Sequence, residues 1–263
     1  MSDVFGKILD NVENKYYGKY RGTVSDNNDP SNLGRLKVKV PELLGTNVTG
    51  WALPCLPSGG FSALGFFFIP EINANVWVEF EGGNLSYPIW TGTWWGDSAN
   101  TPPSESSSNT DNNVKVLKTR SGHKIQFSDD NKGKKESILI QSNGQHHVLL
   151  DDSDGGQKIE IKSNKGHYLL IDDTNDKIEI KTSGGDQMVM DNTGNKITIK
   201  DSTGTSSIEI DATSISIKST QVSIKATNVD ISADAQMNIS ASAMMAIKSS
   251  GPLQVQGAVI TLN

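Results

Sequence analysis

Aromatic side chains are nearly missing from the second half of this 263-residue chain: beyond Phe127 the only one is Tyr168, and all five Trp lie between Trp51 and Trp95. Proline is absent between Pro103 and Pro252. Together the two absences divide the chain into an ordinary globular part and a long, regular, aromatic-poor array, two bodies in all. The single cysteine, Cys55, excludes an internal disulfide and reads as a buried thiol. A basic excess is lacking too, with a formal net charge of -6, a pI near 5.2, and Lys and Asp interspersed. A nucleic-acid partner needs a basic face, so none is expected. No apolar run approaches the roughly 18 residues of a membrane span. The start MSDVFGKILDNVENK lacks the basic and apolar regions of a secretory signal, so the expected product is made in the cytoplasm and is soluble there.

What is present is a ladder of aliphatic doublets. Ile208/Ile210, Ile215/Ile217, Val222/Ile224, Val229/Ile231 and Met237/Ile239 start 7, 7, 7 and 8 residues apart. Within each doublet the apolar-polar-apolar alternation marks a strand with one buried face. A coiled coil would need apolar spacings of three and four, with helix formers between them. Here Ser, Thr and β-branched fillers favour strand instead. Strands this short cannot enclose a core and must stack. A solenoid of one chain and three chains wound together both fit. A one-chain coil uses about twenty residues per turn, whereas this repeat returns after seven or eight, so the pattern favours the intertwined trimer.

Upstream of that ladder, residues 1–15 carry Val4, Phe5, Ile8, Leu9 and Val12 at helical spacing and read as a docking segment. From 16 to 96 the chain alternates short strands with Gly, Pro and Asn turns. Strands are expected over Gly18–Ser25, Gly34–Val40, Gly50–Leu56, Asn75–Glu81 and Pro88–Trp95, a small closed barrel. Residues 97–113 are a Ser/Asn-rich linker. From 114 to 203 longer units, each two strands joined by Asp/Asn/Gly turns, repeat behind Gly122, Gly144, Gly166 and Gly185. From 204 to 263 the unit shortens to single strands, predicting a shaft that begins wide and narrows.

Three stretches carry a family resemblance: GTVSDNNDPSNLGRLKVKVP, then Trp51, then FIPEINANVWVEFEGGNLSYPIWTGTWWG. They resemble the OB-fold of phage-tail and contractile-injection spike proteins, namely the baseplate assembly protein V group and the second half of type VI secretion VgrG proteins. The run SGHKIQFSDDNKGKKESILIQS looks like the start of their β-helix. Asn73 and Asn84 depart from the family's usual Gly and Asp. Asn tolerates left-handed backbone, so the turn at Asn73 is not endangered, and neither change touches function. The resemblance implies an all-β protein: an N-terminal OB-fold barrel followed by a trimeric intertwined β-prism and triple-stranded β-helix. It further implies a structural, membrane-puncturing baseplate spike, with a separate hub protein above and a PAAR-type tip protein below. Tube proteins and effector cargo are further implied partners, within a phage tail-like particle that is released or membrane-anchored. No lysozyme insert stands between barrel and helix, and no His-x-His iron site at the C-terminus.

The expected trimer core is the ten doublet residues named above. Leu253, Val255, Val259, Ile260 and Leu262 are the expected tip contact. Phe5, Ile8, Phe66, Phe67 and Phe68 are the expected hub or collar contact, because Phe66 to Ile69 cannot all point into one barrel. No catalytic, metal or cofactor residue is expected. The pairs Asp151/Asp152 and Asp172/Asp173 repeat with Asp129/Asp130 and Asp191/Asn192, which marks turn residues rather than the acidic pair of a glycosidase. DDSDGG at 151–156 lacks the spacing of a calcium loop. His123, His146, His147 and His167 read as repeat surface. Two rival functions remain: a single-chain β-solenoid that binds or cleaves polysaccharide, and a type VI spike lacking its fused hub.

Overall fold

The computed structural model describes residues 4, 6, 15–97, 101, 113–130 and 135–261. Phe5, Ile8, most of the 97–113 linker and Leu262 lie outside the described residues. The chain divides into one unit ending at Ile217 and a second beginning at Lys218.

Strands β1 (Tyr20–Asp26), β2 (Lys37–Lys39), β3 (Leu53–Pro54), β4 (Asn75–Phe80) and β5 (Pro88–Thr93) form a sheet in the order β2-β1-β4-β5-β3. Leu36 and Ala52 exchange backbone hydrogen bonds of 3.1 and 2.7 Å, which joins the two ends of that order and closes the barrel. The period-2 pattern is realised as burial. Leu36, Val38 and Val40 of GRLKVKV and Val76, Val78 and Phe80 of NVWVEF fill the interior with Val24, Ala52 and Trp90. The Trp90 indole N–H donates to the Gly34 carbonyl at 3.0 Å, so the ring is buried with its polar end satisfied.

Each expected barrel strand has a counterpart, and each is shorter than expected. The third shrinks to two residues, in part because Pro54 has no N–H to continue a ladder. A short helix, α1 (Pro41–Leu44), was not anticipated; Pro41 opens it with a preset φ. Cys55 is exposed rather than buried. Ala52 faces inward, and the alternation then turns Leu53 and Cys55 outward. Asn73 does adopt left-handed backbone, with φ of 69°.

The second sheet has eleven strands: β6 (Val114–Lys118), β7 (Lys124–Asp130), β8 (Lys135–Gln141), β9 (His147–Asp151), β10 (Lys158–Lys162), β11 (Tyr168–Asp172), β12 (Lys177–Lys181), β13 (Gln187–Asp191), β14 (Lys196–Lys200), β15 (Ser207–Ile210) and β16 (Ile215–Lys218). Each strand neighbours only those adjacent in sequence, the meander expected from the paired repeats. Its even register lines up two aliphatic rows on one face. One runs through Ile140, Val148, Ile161, Leu169, Ile180 and Met188; the other runs through Ile138, Leu150, Ile159, Ile171, Ile178 and Met190. The opposite face centres on Leu149, Glu160, Leu170, Glu179 and Val189.

Left-handed residues close the turns at one edge: Gly122, Gln145, Gly166, Gly185 and Gly204. The second of these corrects the glycine alignment. Gln145 at φ of 65° holds the left-handed position, not Gly144, because the turn is registered on the residue preceding the histidine. The doublets Ile208/Ile210 and Ile215/Ile217 end this sheet as β15 and β16. From 219 to 261 no residue pairs in a strand with its own chain.

Candidate functional site

Among the described residues nothing covers either aliphatic row of the meander. Ile161 and Ile180 are each 49% exposed, although strands flank them on both sides. Beyond Lys218 the effect is stronger, and Val222, Ile224, Val229, Ile231, Met237 and Ile239 are all exposed, Ile224 by 70%. Contiguous apolar surface on this scale marks a binding face. The expected tip residues Leu253, Val255, Val259 and Ile260 are likewise exposed. Met245 and Ile247 belong with them and were missed. Met237, Met245 and Leu253 lie eight apart, so the doublet register itself pointed to Met245/Ile247. The aliphatic rows of the meander were also missed as a surface, because alternation alone does not say whether a face is covered.

Around the barrel, Phe66, Phe67 and Phe68 are all exposed and Ile69 packs against the core. Phe61, Leu64 and Leu53 extend the same apolar surface. Gly65 holds the loop in shape. A methyl there would lie 2.7 Å from the Ser58 carbonyl oxygen and from the Gly59 Cα, and its φ of 133° disfavours any side chain.

Polar groups at the sheet edges serve the turns. At one edge Asp151 accepts from the Ser153 N–H at 3.0 Å, Asp172 from Asn175 at 2.9 Å, Asp191 from Gly194 at 2.8 Å and Asp211 from Thr213 at 2.8 Å. The Asn175 side chain and N–H hold Asp172 below the ordinary carboxylate range. The Thr213 N–H, with the Ser214 and Thr213 hydroxyls, lowers Asp211 to about 2. The other edge carries a second ladder. His123 Nδ1 accepts from the Asn143 N–H at 3.2 Å, His146 from Asn164 at 3.3 Å, His167 from Ser183 at 3.2 Å, and Asp186 takes the same role with Ser202 at 2.9 Å. Each turn is thereby tied to the next one on its edge.

On the face opposite the aliphatic rows, His147 Nε2 lies 2.8 Å from Glu160, and the Tyr168 hydroxyl donates to Glu179 at 2.7 Å. Burial, with Glu179 alongside, pushes the Tyr168 hydroxyl up to about 12. Lys177 and Lys181 approach Glu179 at 3.6 and 4.0 Å. No group of three or more His, Cys, Asp or Glu side chains able to hold a metal ion occurs among the described residues. Nor is any helix among them long and apolar enough to cross a membrane.

Residues 20–95 match the family of the type VI secretion system/phage-baseplate injector OB domain. The segment spans β1 to β5 and contains most of the residues on which the spike resemblance rests. The matched segment is the barrel itself, and the long antiparallel sheet follows it in the same chain. No curated protein matches the chain.

Proposed function

We propose that the protein is the homotrimeric central spike of a contractile injection baseplate, joined to a hub protein above and a PAAR-type tip protein below. The observation that carries this reading is the run of aliphatic doublets from Val222 to Ile239, exposed and unpaired within its own chain, on a chain that begins with an injector OB domain. Backbone N–H and C=O groups in strands need partners. If one chain does not provide them, sister chains wound around a common axis do. The aliphatic side chains then stack along that axis, contributing about 25 cal/mol per Å2 of apolar area removed from water. At about 4.8 Å per stacked layer, about six such strands from each chain give a section roughly 30 Å long.

The work of such a spike is mechanical. Interlocked strands leave no long free edge, and pulling one chain out means unwinding three together. Sheath contraction would drive the rod through a target envelope. Phe66 to Phe68 are assigned to a neighbouring copy or the hub, and Leu253, Val255, Val259 and Ile260 to the tip protein. The same features suit a type VI spike whose hub is a separate chain. A single-chain solenoid is disfavoured, because its doublets would face an interior closed by their own chain.

Light scattering of the purified chain tests the reading. A mass near three times 28.3 kDa is expected. A mass near 28.3 kDa at micromolar concentration overturns it.

A further inference from the structure

The two edges of the meander differ in charge. Because the strands alternate in direction, the turns after β7, β9, β11, β13 and β15 lie at one edge and those after β6, β8, β10, β12 and β14 at the other. In the middle of the sheet the first edge carries Asp151, Asp152, Asp154, Asp172, Asp173 and Asp176, with Lys158 and Lys177 at the adjoining strand starts. At the same level the second edge carries His146, Lys165 and His167 and no carboxylate between Ser142 and His167 other than those at the far edge and Glu160 within β10. Farther along, that second edge changes sign with Asp186 and Asp201.

We propose that these edges form the seams of the trimer, the Lys165 edge of one copy lying against the acidic edge of the next. This rests on the trimer proposed above. The aliphatic rows must be covered, so in a three-walled arrangement they turn inward and the turns become corners. A closed threefold ring is head-to-tail, and one edge can then meet only the opposite edge of its neighbour. Without axial displacement, the 163–167 turn after β10 stands between the heights of the neighbour's turns after β9 and β11. Lys165 thus meets Asp152 on one side and Asp173 on the other. All three side chains are exposed in the single chain. Within one copy a five-residue strand, roughly 17 Å, separates the two edges. That exceeds the screening length of about 10 Å at 0.1 M salt, so attraction between the edges has to come from another copy. The charge match also opposes a reversed or slipped docking of the walls.

The test is a charge swap in the full chain, read as the temperature at which the trimer dissociates in SDS at low salt. Lys165→Glu alone and Asp152→Lys with Asp173→Lys each lower that temperature by several degrees. The combination recovers most of the loss, and the recovery disappears at about 1 M salt, where screening reaches about 3 Å. The neutral set, Lys165→Gln with Asp152→Asn and Asp173→Asn, reads the same coupling if a reversed chain fails to fold. If the parent is trimeric but the losses simply add, the seam assignment falls and the trimer stands. If the parent is monomeric by mass, the trimer falls and takes the seam with it.

Discussion

The Asp29 carboxylate accepts from the Ser31, Leu33 and Arg35 N–H groups at 3.0, 2.8 and 3.2 Å and from the Arg35 guanidinium at 2.7 Å. Arg35, ahead of those N–H groups, holds the carboxyl far below the ordinary range. A depressed folded pKa stabilises the barrel above the unfolded value of about 3.9 and loses that contribution as pH falls below it. Asp29→Asn should therefore lower the melting temperature by several degrees at pH 7 and flatten the decline below about pH 4; thermal melts across pH check both. Tyr168 behaves in the opposite sense. Its folded pKa is raised to about 12, so its contribution is complete below the unfolded value of about 10 and fades as pH rises toward 12. In an ultraviolet alkaline titration one tyrosine should ionise late, and Tyr168→Phe should remove that phase while leaving the sheet folded. From the sequence, Asp29 is one acidic residue of the turn SDNNDPSN and Tyr168 one aromatic in a repeat. The partner of Tyr168 lies on the neighbouring strand, and those of Asp29 converge only once the turn has folded, which spacing alone does not supply.

At the scale of elements, alternation in GRLKVKV and NVWVEF correctly assigned the buried side of the barrel strands, because burial on a pleated strand repeats every two residues. Gly22 shows what alternation cannot reach. A methyl at Gly22 would lie 2.4 Å from Val38 Cγ1 and 3.0 Å from Val78 Cγ2. The glycine lets β1 sit closely against both neighbours. Gly22→Ala should destabilise the barrel by about 1–3 kcal/mol through overpacking, measured by urea denaturation. In the meander, Asp- and Gly-rich turns announced the hairpins from sequence. The left-handed Gln145 was hidden, because Gly144 beside it drew the assignment. The aspartate ladder was correctly read as turn chemistry, and the histidine ladder became visible only once successive turns were stacked.

For the whole molecule, Ile224 separates the alternatives sharply. It is 70% exposed in the single chain, so Ile224→Asp in a monomer should change stability by no more than about 0.5 kcal/mol. In the proposed trimer the same change places three carboxylates around one axial layer, with a large desolvation cost. The expected outcome is loss of SDS-resistant trimers; retention of full resistance would mean that Ile224 does not face the axis. The order of barrel then array and the strand character of the barrel and the meander were determined by sequence, since they follow from local periodicity, turn chemistry and where aromatics and prolines run out. Tertiary structure alone decided that β3 pairs with β5 and Leu36 with Ala52 to close the barrel, that Cys55 points outward, and that among the described residues nothing covers the aliphatic rows. The reason is physical: alternation specifies which side chains share a face, but only the arrangement of distant segments specifies whether anything lies against it.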